Sequence, residues 1–217
     1  VTERPILFST LMVRAILAGT KTQTRRVVRG LATDATNVRM CSHYIKCDAR
    51  PVSGRVSDRI LCPYGTVGDR LWVRETFYCD HFRYPDAPID EMSKLLEYRA
   101  DHECRNWEAG CPCRDEYGRS SWRSSRFMPR WASRITLEVT GVRVERVQCI
   151  SPEDAAAEGT PGVIGPLRVN SGPPAESFLS ATYGFMQLWN AINGKRAGAA
   201  WADNPWVWVV SFRRVQP

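Results

Sequence analysis

The chain has 217 residues, of which 43% are hydrophobic, and it carries a formal net charge of +7 with a pI near 9.1. That length can bury one substantial core, or a core hung with long insertions, and the composition argues against global disorder. The basic balance favours a polyanionic partner, although an excess of this size is common in proteins that have none.

In chain order, Pro5-Ile6-Leu7-Phe8 is an apolar patch too short for a signal peptide or a spanning helix, so a cytoplasmic protein with no membrane partner is expected. A helix is predicted next. Ser9 or Thr10 serves as N-cap, Leu11, Met12, Ile16 and Leu17 recur at helical spacing, and Gly19 is the stop. The run Gly19-Thr20-Lys21-Thr22-Gln23-Thr24-Arg25-Arg26 then sets a lysine, a hydroxyl and arginines close together at the start of a half-exposed strand. Alternation puts Thr22, Thr24 and Arg26 on one face, with Lys21 at the mouth of the turn. A lysine three residues from a threonine can deprotonate its hydroxyl if burial or a cationic neighbour such as Arg26 lowers the amine pKa. The same spacing also fits a solvated basic strand edge.

Residues 31–59, 79–126 and 160–180 are largely polar and poorly periodic, and read as insertions on a compact β-rich core within a single domain, 1–217. Between the first two, turn chemistry over Leu61 to Arg70 leads into a strand, Leu71-Trp72-Val73-Arg74-Glu75-Thr76-Phe77. Glu75 at its end is a candidate substrate contact, or a surface ion pair with Arg74 or Arg70. Seven of the eight cysteines lie between Cys41 and Cys113, and all three histidines sit two residues from a cysteine. Such a chain is expected to keep its thiols reduced, and the cluster points to a structural zinc, with Cys79, Cys104, Cys111 and Cys113 as preferred ligands. No pair has the Cys-x-x-Cys spacing, and small buried thiols are common. No cofactor is required for the chemistry considered below.

Arg119, Arg123, Arg126, Arg130 and Arg134 recur every three or four residues through a segment that also holds Trp122, Phe127 and Trp131. Guanidinium groups interleaved with aromatic faces suit single-stranded nucleic acid, which makes Trp122, Arg123 and Arg126 candidate contacts. A solvated arginine face with core tryptophans has the same pattern. Ile135 to Val139 and Val142 to Val147 alternate with period two around Thr140-Gly141, predicting a hairpin. Ser151-Pro152-Glu153-Asp154 opens a short helix through Glu158, closed by Gly159. Glu158 thus faces the negative end of the helix dipole, either as an exposed residue that tolerates the place or for a functional reason. A second helix is predicted over Ala181 to Ile192, with Phe185, Leu188, Trp189 and Ile192 on its apolar face. Its partner is the last strand, Trp206 to Phe212, apolar on both faces as in a central strand.

Together these blocks resemble the activating signal cointegrator homology (ASCH) family, a branch of the PUA-like fold. The hallmark Gly-x-Lys-x-x-(Glu or Thr)-x-Arg run is met by Gly19, Lys21, Thr24 and Arg26. The Gly68-Asp69 turn, the Ile135 to Val139 strand, the acidic helix and the closing apolar strand also match, over about half of the chain. The wording around Arg4-Pro5, Gly68-Asp69-Arg70 and Met128-Pro129-Arg130 looks like longer ASCH proteins of bacteriophages and prophages. The resemblance implies an α+β fold, a PUA-like small β-barrel with flanking helices and long loop insertions. Among family members with defined chemistry are small bacterial amidohydrolases that deacetylate N(4)-acetylcytidine, and their catalytic residues fall on Lys21, Thr24 and Glu158. By that resemblance Thr24 is the nucleophile, Lys21 its base, Glu158 the group that positions or protonates the leaving amine, and Arg26 a substrate or oxyanion contact. The partner is then a modified nucleoside or single-stranded RNA. The family also implies two alternatives, a non-catalytic RNA-binding module and a ribonuclease, and the small enzymes have no counterpart of the insertions.

Overall fold

The computed structural model describes residues 1–31, 35, 38–41, 44–46, 60–79, 88, 96–102, 122–160 and 181–215. In chain order these form β1 (Glu3–Leu7), α1 (Thr10–Leu17), β2 (Gln23–Val27), β3 (Arg39–Cys41), β4 (Tyr44–Lys46), β5 (Ile60–Leu61), β6 (Arg70–Arg74), β7 (Phe77–Cys79), β8 (Leu96–Tyr98), β9 (Thr136–Arg146), α2 (Pro152–Ala157), α3 (Ala181–Asn193) and β10 (Trp206–Val215). Short 3₁₀ turns cover Ser125–Phe127, Arg130–Ala132 and Val147–Cys149. No described helix is long and apolar enough to cross a membrane.

The architecture is mixed α+β. A five-stranded sheet has the order β1-β6-β9-β10-β2, beside a three-stranded sheet β3-β4-β5 and a two-stranded sheet β7-β8. None of the three closes into a barrel among the described residues. The small barrel expected from sequence is here a sheet with two edges, β1 and β2.

The large sheet is organised by β10, which pairs with β9 on one side and β2 on the other. Its apolar residues fall on both faces, so both must be covered. Trp208, Val210 and Phe212 join Ile6, Phe8, Val13, Ile16, Leu71, Val73, Leu137 and Val139 in one cluster. Val207 and Val209 join Val147, Ile150, Ala155, Phe185 and Trp189 in the other. The predicted pairing of the long helix, α3, with the last strand is therefore found, but only Phe185 and Trp189 of its apolar face are buried, while Ile192 is exposed. In α1 likewise Val13 and Ile16 are buried and Leu11 is exposed.

The expected hairpin at Thr140-Gly141 is not formed. β9 runs straight through it: Val139 pairs with Phe212 and Gly141 with Ser211, so Thr140 is the extra residue of a bulge. A turn there would give up half of the pairing with β10, whose length accommodates both predicted half-strands in one ladder. β2 is likewise not half exposed, because Gln23, Thr24 and Arg25 are all buried.

Trp208 is among the largest fully buried side chains, at 1% exposure. Trp208→Ala is expected to lower unfolding stability by about 3–5 kcal/mol, read as a lower denaturant midpoint with an unchanged slope.

Candidate active site

Two chain reversals bring the candidate site together. After α1, Gly19 takes a φ of 75° and both Thr20 and Lys21 donate their backbone N–H to the Ala15 carbonyl, at 2.9 and 3.1 Å. From the other side comes α2, whose N-cap Ser151 accepts from the Asp154 N–H at 3.2 Å, with Pro152 in the first turn. It ends at Glu158, followed by Gly159 with φ 75°. Lys21 and Glu158 then face each other in an antiparallel bridge, and the Thr22 N–H donates to Ala157 O at 2.9 Å. A Cβ on Gly159 would lie 2.8 Å from Ala15 Cβ and 3.0 Å from Lys21 Cβ, so the close approach of these segments requires glycine.

Lys21 is 2% exposed. Its Nζ donates to Glu158 Oε2 at 2.7 Å, to the Glu158 carbonyl at 2.8 Å and to the Gln23 carbonyl at 2.8 Å. All three ammonium protons therefore have acceptors. Burial pushes the Lys21 pKa down, the Glu158 carboxylate opposes that, and the positive charges of Arg26 and Arg25 add to the lowering. Phe8 completes the enclosure: its ring centroid lies 5.6 Å from Lys21 Nζ and 5.3 Å from Arg26 Cζ.

Beside this pair lies a buried ionic network centred on Arg25. Its Nε donates to Glu145 Oε1 at 3.0 Å, and Nη2 donates to the same oxygen at 2.6 Å and to Asp154 Oδ2 at 2.7 Å. Nη1 donates to Gln23 Oε1 at 2.7 Å and to Glu158 Oε1 at 3.4 Å. Arg143 bonds to Glu145 and Asp154 from the outside. Lys21, Arg25 and Arg143 are thus balanced by Glu145, Asp154 and Glu158. The solvated basic edge is excluded. Glu158, unfavourably placed at the end of α2, is compensated there by two cations. Arg25, Gln23, Glu145 and Asp154 were not singled out in the sequence; the available signal was alternation, which puts Gln23 and Arg25 on the face of β2 opposite Thr24 and Arg26.

Thr24 is buried on that opposite face, in register with Val210. It lies one peptide beyond the Gln23 carbonyl that accepts from Lys21, and its hydroxyl makes no hydrogen bond to another described residue. Of the three expected catalytic residues, Lys21 and Glu158 touch directly and Thr24 is their neighbour along the strand. Arg26 reaches across the opening of the sheet: its Nη2 donates to Leu7 O on β1 at 2.6 Å, joining one edge strand to the other. Its Nε is buried without a partner, a deficit worth about 1–3 kcal/mol.

The remaining candidates lie elsewhere. Glu75 is buried and paired with Arg134, at 3.0 and 3.2 Å, rather than with Arg74 or Arg70 on the surface, and it makes no contact with the Lys21 cluster. Trp122 packs against Tyr78 and His102 beneath the Arg99 guanidinium. Arg123 forms a backbone bridge to Phe77, and Arg126 is exposed. The arginine segment does not form one helical face, since its described part is broken into two 3₁₀ turns, with Arg130 paired to Glu3 and Arg134 to Glu75 and Asp101. Arg119 lies outside the described residues. Of the zinc candidates, Cys79 is buried in β7, while Cys104, Cys111 and Cys113 lie outside the described residues. Among the described residues no group of three or more His, Cys, Asp and Glu is placed to hold a metal ion.

Comparison of the chain with protein-family models, with curated proteins and with solved structures finds no match.

Removing only one member of the buried pair leaves the other charge unmatched. Glu158→Leu and Lys21→Met are each expected to cost about 3–5 kcal/mol, and the double variant much less than their sum, measured as a double-mutant cycle in denaturant.

Glu75 gives a separate pH signature. Burial raises its carboxyl pKa, against the opposing effect of Arg134. The unfolded chain therefore releases this proton first, so Glu75 withdraws stability as pH rises from about 4.3, the ordinary Glu value, through the raised folded value. Glu75→Gln removes this slope in melting measured across that range.

Proposed function

We propose that the protein hydrolyses an amide on a modified nucleobase, removing the acyl group from an N(4)-acetylcytidine-like cytidine. The observation that carries this reading is Lys21: a buried lysine, lowered by desolvation and bonded at 2.7 Å to the Glu158 carboxylate, three residues before Thr24, whose hydroxyl bonds to no other described residue. The Gly19, Lys21, Thr24 and Arg26 spacing of the ASCH hallmark supports it, as does a five-stranded sheet whose edges are linked by Arg26, read as an open form of the PUA-like barrel.

The lysine begins as an ammonium with every proton engaged, so it acts as a base only after passing one to Glu158. The neutral amine rotates away from the Glu158 carboxyl, turns its lone pair to Thr24 and takes the hydroxyl proton as Oγ1 attacks the acyl carbon. The bond from that carbon to the cytosine N4 breaks, and Lys21 delivers the proton to the leaving nitrogen. Water, deprotonated by the same amine, cleaves the threonine ester; Thr24 recovers its proton and the acyl group leaves as a carboxylic acid. Arg26, with its unpartnered Nε–H, stabilises the oxyanion in both halves.

A second reading, a non-catalytic RNA-binding module, is favoured by exposed Arg126 and Phe127 on the arginine segment.

The purified protein is expected to release acetate and cytidine from N(4)-acetylcytidine, and Lys21→Ala, Thr24→Ala and Glu158→Ala each to lose about 100-fold or more. Full turnover in Thr24→Ala excludes it as nucleophile. A wild-type protein that releases no acetate leaves the binding module.

A further inference from the structure

Many arginines of this fold are neutralised within it. Arg25, Arg130, Arg134, Arg143 and Arg213 each meet a carboxylate. Arg26, Arg74 and Arg126 meet none among the described residues, and these three are strung together. Arg26 donates to Leu7 O, Leu7 stands beside Arg74 in the parallel register of β1 and β6, and Arg74 Nη2 donates to Arg126 O. Glu75, next to Arg74 in sequence, is committed with Asp101 to Arg134, and Glu3 on β1 to Arg130.

Arg74 is held in place yet incompletely bonded. Its guanidinium lies 5.5 Å from the Trp72 ring centroid, to which that of Arg130 lies at 5.8 Å, and the Arg126 carbonyl fixes one nitrogen. Its Nε–H is buried without a partner, and Nη1 bonds to no described residue. Arg126 is exposed next to it, and the following residue, Phe127, is 68% exposed. Two arginines joined through the Arg126 backbone, one with its guanidinium already immobilised and the other exposed, match an anion with several acceptor oxygens, and the exposed ring of Phe127 offers a face to a base. Arg26 connects this place to the Lys21 site.

We propose that Arg74 and Arg126 bind a phosphate of the substrate, so that Lys21 and Thr24 act on a nucleotide, free or within a single strand, rather than on a bare nucleoside. The identity of the base rests on the nucleobase reading above; the phosphate site does not rest on catalysis.

The test is equilibrium binding of cytidine, cytidine 5′-monophosphate and a cytidine trinucleotide to the full chain, at low and high salt. The phosphorylated ligands are expected to bind about tenfold or more tighter than cytidine at low salt, with the gap narrowing as salt rises. A gap already present with the monophosphate identifies a free nucleotide, and one seen only with the trinucleotide identifies a strand. Arg74→Gln and Arg126→Gln each shrink the gap, and together they abolish it. Arg74→Lys, which keeps the charge but loses the planar fork, retains part of it, so that a folding defect in the glutamine variant does not decide the matter. Arg213→Gln, which removes a paired charge elsewhere, leaves the gap unchanged. Equal binding of all three ligands, binding of none, or an equal loss in Arg213→Gln overturns the proposal. Acetate release is scored separately: tight nucleotide binding without turnover defeats the hydrolase and keeps the phosphate site, whereas equal turnover of acetylated nucleoside and nucleotide without tighter nucleotide binding does the reverse.

Discussion

The contact between Lys21 and Glu158 joins two parts of the chain 137 residues apart in sequence. Lys21 opens an edge strand and Glu158 ends a short helix, and between them lie the backbone bridge and the 2.7 Å ion pair. Taking two charges out of water costs several kcal/mol each, and the attraction between them repays that only if every remaining donor and acceptor is also met. The surroundings are arranged accordingly. Gly159 lets the two segments approach, the Gln23 and Glu158 carbonyls take the other ammonium protons, and Arg25 takes the second carboxylate oxygen.

Arg25 explains how so many charges fit against an apolar core. Each of its N–H groups finds an acceptor, and those acceptors come from β2, β9 and α2. The network therefore fixes the position of α2 relative to the sheet from one side, while Ala155 packs against Val207 and Val209 from the other. Polar geometry sets where the helix sits, and apolar burial supplies the adhesion.

Much of this fold could be read from local pattern. The capping residues of α2, the closing glycines after α1 and α2, and the two-faced apolar run of β10 each follow from rules that act within a few residues. What failed was whatever depended on a distant partner. Thr140-Gly141 carries turn chemistry, but the length of β10 decides that β9 continues. Lys21 and Arg25 look like surface cations until the carboxylates of α2 and β9 arrive. Glu75 seemed tied to its sequence neighbours, whereas its partner, Arg134, is 59 residues away. The spacing of the arginine segment implied one face, yet its described part is broken into 3₁₀ turns that send the side chains to different partners. The hallmark run names Lys21, Thr24 and Arg26 but is silent on Arg25, which pairs with three carboxylates.

The arrangement of charges across β2 separates two tasks. On one face every N–H group of the Arg25 guanidinium meets an internal acceptor, and Gln23 is tied to Arg25 through its oxygen and to Asp154 through its nitrogen. On the other, the Thr24 hydroxyl bonds to no other described residue and the Arg26 Nε–H is buried without a partner. Lys21 lies just before the strand, its ammonium saturated as the inner network requires, and proton transfer to Glu158 would leave a neutral amine whose lone pair turns outward only when the amine rotates away from that carboxyl. Native structures leave few buried polar atoms unpaired, and those left usually have a purpose. Here these groups lie on the face away from the ion network, and the Arg26 side chain crosses from β2 to Leu7 on β1. A purely structural buried pair can be replaced by apolar residues at little cost, but such a replacement would not explain why the adjacent face of the same strand keeps its donors unspent.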